Sequence, residues 1–131
     1  MYECRVTADF AAAHFLRDYH GKCENLHGHN YKVYAHVRGR ELDAGGMLID
    51  FTILKDALRA VIKKLDHTNL NDIAAFDQNP SAERIARFIY EQMLASLSSQ
   101  GLDLSGKNGG IKLYAIDVFE TDTSRARYIA D

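Results

Sequence analysis

Apolar residues alternate with polar ones at both ends of the chain, while a helical rhythm fills the middle. Between residues 3 and 14, Cys4, Val6, Ala8, Phe10, Ala12 and His14 share one parity. An extended backbone places them on one face of a strand. A polar stretch, Arg17-Asp18-Tyr19-His20-Gly21-Lys22, reads as a loop. The period of two then resumes from His29 to Arg38 with Tyr31, Val33, Ala35 and Val37. The segment Arg40–Gly46 closes on Gly45-Gly46 and reads as a turn. Thr52 is the expected N-cap of a helix, because Leu54, Ala57, Leu58, Val61, Ile62 and Leu65 follow the i, i+3, i+4, i+7 spacing of one helical face. That helix is expected to stop near Leu65, before the loop-like run Asp66 to Asp72. Pro80-Ser81 opens a second helix with Ile85, Phe88, Ile89, Met93 and Leu97 as its stripe. Both stripes read as core packing.

Residues 98–110 are rich in Gly and Ser and are expected to form a flexible connector. Strands follow at 111–119 and 125–130, separated by a Thr-Asp-Thr-Ser turn. The order ββααββ predicts an α+β fold, an antiparallel four-stranded sheet carrying two helices on one face. Residues 111 to 118 are apolar at both parities. Antiparallel strands commonly leave one face wet, so this pattern hints that a second subunit covers part of the other face.

At 131 residues the chain fits one domain spanning 1–131. Its formal charge of −2 gives no sign of binding to nucleic acid or anionic membranes. No apolar run approaches the ~20 residues that span a bilayer. The N-terminus lacks a signal-peptide core, so a cytoplasmic protein is expected. The two cysteines, Cys4 and Cys23, do not suggest a disulfide framework. Cys4 reads as a small buried apolar residue. Cys23 sits among polar residues between histidines and does not.

The chemistry concentrates between His14 and His29. His27 and His29 are two apart, which on a strand aims both imidazoles to one side, and Gly28 removes bulk from the other. If the first two strands pair antiparallel, His14 arrives beside them. Three neutral imidazoles at ~2 Å from an ion form the ligand set of a catalytic zinc with one open position. The spacing Cys23-x-x-x-His27-x-His29 can also be that of a closed structural site with Cys23 as a ligand. His36 reads as a core or surface histidine, and His20 as an exposed loop residue. Asp66-His67 places a carboxylate beside an imidazole, although adjacent residues need not bond to each other. Glu120 ends an apolar strand before Thr121. Facing a pocket, it would bind an amidine-like N–C–N edge through two parallel hydrogen bonds.

These residues give the chain a specific likeness. It resembles the 6-pyruvoyltetrahydropterin synthase and 6-carboxytetrahydropterin synthase family along nearly its whole length. The resemblance is carried by Phe10-Ala11-Ala12-Ala13-His14, Cys23-x-x-x-His27-Gly28-His29, Gly46-Met47-Leu48-Ile49-Asp50-Phe51, Leu65 to Asn71, Asn79-Pro80-Ser81-Ala82-Glu83 and Phe119-Glu120-Thr121. It implies a tunnelling fold assembled through its sheets into a hexamer, a dimer of trimers. It also implies one zinc per subunit on His14, His27 and His29, with Cys23 as proton acceptor and His67 and Asp66 as relay partners. Glu120 would hold the pterin edge and is sometimes counted in the relay as a catalytic residue, with Thr121 and Glu83 as further substrate contacts. The implied substrate is 7,8-dihydroneopterin triphosphate, bound between subunits.

The family divides by product. The short chain and tight Cys23-to-His27 spacing look more like the branch that releases acetaldehyde and triphosphate, giving 6-carboxytetrahydropterin on the route to queuosine and other deazapurines. A second branch forms 6-pyruvoyltetrahydropterin. A third carries Glu in place of Cys and forms 6-hydroxymethyl-dihydropterin for folate. Here Cys23 and Glu24 stand side by side, so both signatures are met, and dual activity through Glu24 is an open reading. A non-catalytic, zinc-stabilised pterin- or purine-binding module of the same fold is the rival from another class.

Overall fold

A computed structural model describes residues 1–17 and 25–131. Two long antiparallel strands, β1 (Tyr2–His14) and β2 (His27–Gly39), lead into α1 (Phe51–Leu65). A two-residue strand β3 (Thr68–Asn69) and two short 3-10 turns precede α2 (Ala82–Ser99). Strands β4 (Lys112–Thr121) and β5 (Ser124–Ile129) complete one sheet in the order β3-β1-β2-β4-β5. The long strands are all antiparallel, as the alternation predicted. The sheet as a whole is mixed, because Thr68 and Asn69 lie parallel to Ala12 and Ala13. The predicted four strands and ββααββ order therefore need a fifth strand between the helices. Two residues fixed by a distant strand edge leave no periodic signal.

The inward parity of β1 and β2 supplies the sheet side of the core. Val6, Phe10, Tyr31, Val33, Ala35 and Val37 are all buried. Against them α1 packs Leu54, Leu58, Val61 and Leu65, and α2 packs Ile85, Ile89, Met93 and Leu97. Cys4 is only half-buried at the margin of this core. The cap of α1 is Asp50, not Thr52. The Asp50 carboxylate accepts from Thr52 N at 2.8 Å, so Thr52 already lies within the first turn. Ser81 caps α2 by accepting from Arg84 N at 3.2 Å. Residues 98–110 are more ordered than a flexible connector. Ser98 and Ser99 end α2, Leu104 is buried, and Ser105 bridges to Lys112.

The outer face of β4 is covered in part by the chain's own charged side chains. Asp117 accepts two bonds from Arg127, at 2.6 and 2.8 Å, and lies 2.6 Å from His36 Nε2. The Arg38 guanidinium sits 3.7 Å over the Tyr114 ring, whose hydroxyl donates to Glu3. A bulge opposite His36 and Val37 turns Tyr114 outward beside Ala115. Burial of β4 on both faces thus arises within one subunit and does not require a partner.

Candidate active site

The register of β1 and β2 builds a histidine cluster at one end of the sheet. His14 is paired with His27, and Ala12 with His29. All three imidazoles therefore project from the same face as Phe10 and Tyr31. Their ring centroids lie 4.5, 5.1 and 4.8 Å apart, and one ligand nitrogen from each falls within 4.8 Å of the others. Among the described residues this is the group that can hold a metal ion.

The surroundings fix which nitrogen is left free for a metal ion. His14 is 1% exposed, and its Nδ1 donates to the Pro80 carbonyl at 2.9 Å. Its Nε2 is buried without a hydrogen-bond partner. His27 Nδ1 donates to the Asn25 carbonyl at 2.6 Å. Carbonyl acceptors behind imidazoles fix the tautomer and leave the other nitrogen as a ligand. An orphaned buried nitrogen is otherwise costly, so the donor set fits a divalent cation. Burial lowers the His14 pKa, against the Pro80 carbonyl and Glu120, which raise it. Burial likewise lowers that of His29. Both effects favour the neutral imidazole that a metal requires.

Glu120, near the end of β4, brings Oε1 to 3.8 Å from His14 Nε2. It also lines a cavity of 460 Å³ beside the cluster, with Ser81 and Glu83 from the start of α2 and Arg125 and Arg127 from β5. Thr121 is exposed, and its hydroxyl lies 3.3 Å from Thr123 Oγ1, outside that lining. Glu83 is exposed in the first turn of α2. Behind the cluster, the Tyr31 hydroxyl is buried without a hydrogen-bond partner, and burial raises its pKa well above that of an ordinary phenol.

Asp66 and His67 do form a pair. Asp66 Oδ1 accepts from Ala11 N at 2.9 Å, while Oδ2 lies 3.0 Å from His67 Nδ1. The His67 amide donates to the Ala11 carbonyl at 2.6 Å. The Ala11 amide, ahead of the His67 contacts, holds the Asp66 carboxyl below its ordinary range. His67 takes a positive φ of 58° and its side chain is 83% exposed. It lines a different cavity, of 440 Å³, with Asp9, Asn30, Lys32 and Asp122. Asp9, Asn30 and Lys32 have the opposite parity to His14, His29 and Tyr31. Within one subunit the pair therefore faces away from the histidine cluster. Cys23, Glu24 and His20 lie outside the described residues.

Sequence reasoning assigned no part to Asn71. This buried side chain accepts from Phe15 N at 2.9 Å and donates to the carbonyls of Phe15 and Gln78 at 3.0 and 3.1 Å. It ties the end of β1 to the segment that carries Pro80. The Asn69-x-Asn71 repeat was visible, but nothing local named its partners. The Pro80 and Asn25 carbonyls leave no side-chain signal at all.

A mainly antiparallel sheet backed by two helices, with three imidazoles converging at the ends of its first two strands, defines a class of small domains with a candidate metal centre. The family model for 6-pyruvoyl tetrahydropterin synthase matches residues 3–131, and the chain belongs to that family. It is 36% identical to the 6-carboxy-5,6,7,8-tetrahydropterin synthase of Synechocystis over 92% of this chain and 88% of that one. It is 35% identical to the Bacillus subtilis protein of the same name over 97% and 84%. The solved 6-pyruvoyl tetrahydropterin synthase of Caenorhabditis elegans superposes with a TM-score of 0.82 at 26% identity, covering 99% of this chain and 96% of that one.

Proposed function

We propose that the chain is a cytoplasmic zinc-dependent lyase that converts 7,8-dihydroneopterin triphosphate to 6-carboxy-5,6,7,8-tetrahydropterin, releasing acetaldehyde and triphosphate on the queuosine and deazapurine route. The observation that carries it is the orphaned, buried Nε2 of His14 converging with His27 and His29. The two relatives bearing the 6-carboxy name, at 36% and 35% identity, support this product.

His14, His27 and His29 hold the zinc, which supplies Lewis acidity toward the side-chain hydroxyls of the substrate. Glu120, at the mouth of the 460 Å³ cavity, accepts the paired N–H groups of the aminopyrimidine edge. Glu83 and Thr121 are secondary contacts, with Glu83 favoured by its place in the same wall. Cys23 takes the proton, its thiol acidified by the nearby positive charge. His67, oriented by Asp66, passes the proton onward. The pair faces away from the cluster of its own subunit, so the site is completed by His67 of a neighbouring copy. This arrangement favours assembly through the sheets, as a hexamer built from two trimers.

A second reading keeps the site but ends at 6-pyruvoyltetrahydropterin, and a Drosophila relative named 6-pyruvoyl tetrahydrobiopterin synthase, 36% identical over 82% of this chain and 61% of that one, favours it. Dual activity through Glu24 would add 6-hydroxymethyl-dihydropterin. Mass spectrometry of the products from dihydroneopterin triphosphate separates these outcomes. Acetaldehyde with 6-carboxytetrahydropterin is expected, while zinc binding without turnover would favour a binding module. Cys23→Ala and Glu24→Ala, assayed separately for every product, test the roles of the two neighbours.

A further inference from the structure

We propose that the groove between the edge of β1 and α1 seats the triphosphate group of the substrate; this assignment rests on the pterin reading above. The groove encloses 590 Å³ and is lined by Thr7, Asp9 and Lys32 from the sheet, Arg59 and Lys63 from α1, and Asp66. Its size falls within the range of small-molecule sites. It shares Asp9, Lys32 and Asp66 with the cavity that contains His67. The groove therefore adjoins the cavity of His67, within reach of the phosphates of a substrate whose side chain is held there.

The charge pattern singles out this groove. Lys55, Arg59 and Lys63 stand in one row on α1, each four residues from the next. Like charges at that spacing weaken a helix. On α2, by contrast, Arg87 is matched at the same spacing by Glu91 at 2.9 Å. Several other basic side chains already have partners: Arg125 and Arg127 on Asp117, Arg84 on the Phe76 carbonyl, and Lys64 on Gln92. Among the described residues, Lys32, Arg59 and Lys63 have no carboxylate within ion-pair distance. Asp66, in the same wall, is already held by Ala11 N and His67. The groove thus carries three uncommitted cations from two elements beside the candidate proton relay. A polyanion satisfies them without a Gly-rich loop.

A second basic cavity is the competitor. Arg38, Arg40 and Lys112 meet Gly106, Gly109 and Gly110 around 190 Å³ at the far end of β2 from His27. There Arg38 is spent on Tyr114, and the amides of Gly106 and Gly110 bond within their own loop. It is smaller, and none of Asp66, His67 and Glu120 lines it.

The test uses metal-loaded protein and inorganic triphosphate in calorimetry. Arg59→Gln and Lys63→Gln are each expected to weaken binding roughly threefold to tenfold, while Arg40→Gln binds like the parent. Melting temperatures check that these exposed positions leave the fold intact. Failure of the parent to bind, parent-like affinity in both α1 variants, or an equal loss in Arg40→Gln overturns the assignment. A changed oligomeric state with unchanged affinity also overturns it, because the groove would then be seating a second copy of the chain. With dihydroneopterin triphosphate, the α1 variants should raise KM and leave kcat unchanged. Turnover with an unaltered KM keeps the proposed activity and removes the groove. Triphosphate binding that depends on Arg59 and Lys63, without any pterin turnover, keeps the groove as a polyphosphate site and removes the activity.

Discussion

Replacing Asn71 with Ala cuts the amide that holds the end of β1 in place one residue beyond His14. Three hydrogen bonds disappear, at 2.9, 3.0 and 3.1 Å, and Phe15 N, Phe15 O and Gln78 O lose this partner. Each such bond is worth about 0.5–1.5 kcal/mol net, and more where a group is left buried and unpaired, so a loss of about 3 kcal/mol is expected. For a chain of this size that corresponds to a drop of roughly 10 °C in Tm. Function should suffer separately. His14 is positioned by Phe15 on one side and by the Pro80 carbonyl on the other, and Asn71 links the segments that carry both. Asn71→Asp keeps the acceptor for Phe15 N and loses two donors, so its melting temperature should also fall. The assay is thermal unfolding of metal-free protein at fixed concentration, followed by zinc titration of each variant at a temperature where it is folded. Weaker zinc binding should accompany the lowered Tm. A metal-free Tm within about 2 °C of the parent would refute the clamp, since loss of all three bonds exceeds that shift even at about 0.5 kcal/mol each.

Two other substitutions probe the scaffold. Burial pushes the Asp117 carboxyl up, but bonds from Arg127 and His36 more than reverse this and leave it below the ordinary carboxylate range. A depressed folded pKa contributes stability above the unfolded value, near 3.9, and that stability is lost as pH falls through the folded value. Asp117→Asn should therefore lower the unfolding free energy measured in urea at pH 7, by roughly 2 kcal/mol after discounting the half-exposed arginines. It should also flatten the acid limb below about pH 4; an acid limb identical to the parent's would contradict this. Gly106 has φ +79°, and an added Cβ would meet the Lys112 side chain at 2.9 Å. Gly106→Ala is expected to cost about 1–3 kcal/mol in urea denaturation. Gly101→Ala, at φ +84° with nothing within 4 Å, should cost less. Equal effects would remove the contact with Lys112 from the explanation.

Parity made much of this fold readable. The alternating positions of β1 and β2 place Val6, Phe10, Tyr31 and Val33 in the core and carry His14, His27 and His29 onto the same face. The helical stripes were equally legible, because amphipathic spacing states which side is buried. Features fixed by distant partners were not. The strand at Thr68–Asn69 exists because β1 offers it an edge. The segment beyond α2 is pinned by Leu104, which is hidden among Gly and Ser, and by its bond to Leu113. Thr52 is a residue type suited to capping, but the backbone places Asp50 at the cap and Thr52 inside the first turn. For the site, adjacency could not say whether Asp66 bonds His67, nor that the pair opens onto the opposite side of the sheet from the histidine cluster. That separation depends on the positive φ of His67 and its amide bond to Ala11, which are tertiary features.

Zinc stoichiometry per subunit, measured by elemental analysis after exhaustive dialysis, most directly tests the proposal that three imidazoles hold the ion while sulfur stays free. The parent and Cys23→Ala should each retain one zinc, and His14→Ala should retain almost none. Loss of zinc from Cys23→Ala, or its full retention in His14→Ala, would contradict that assignment.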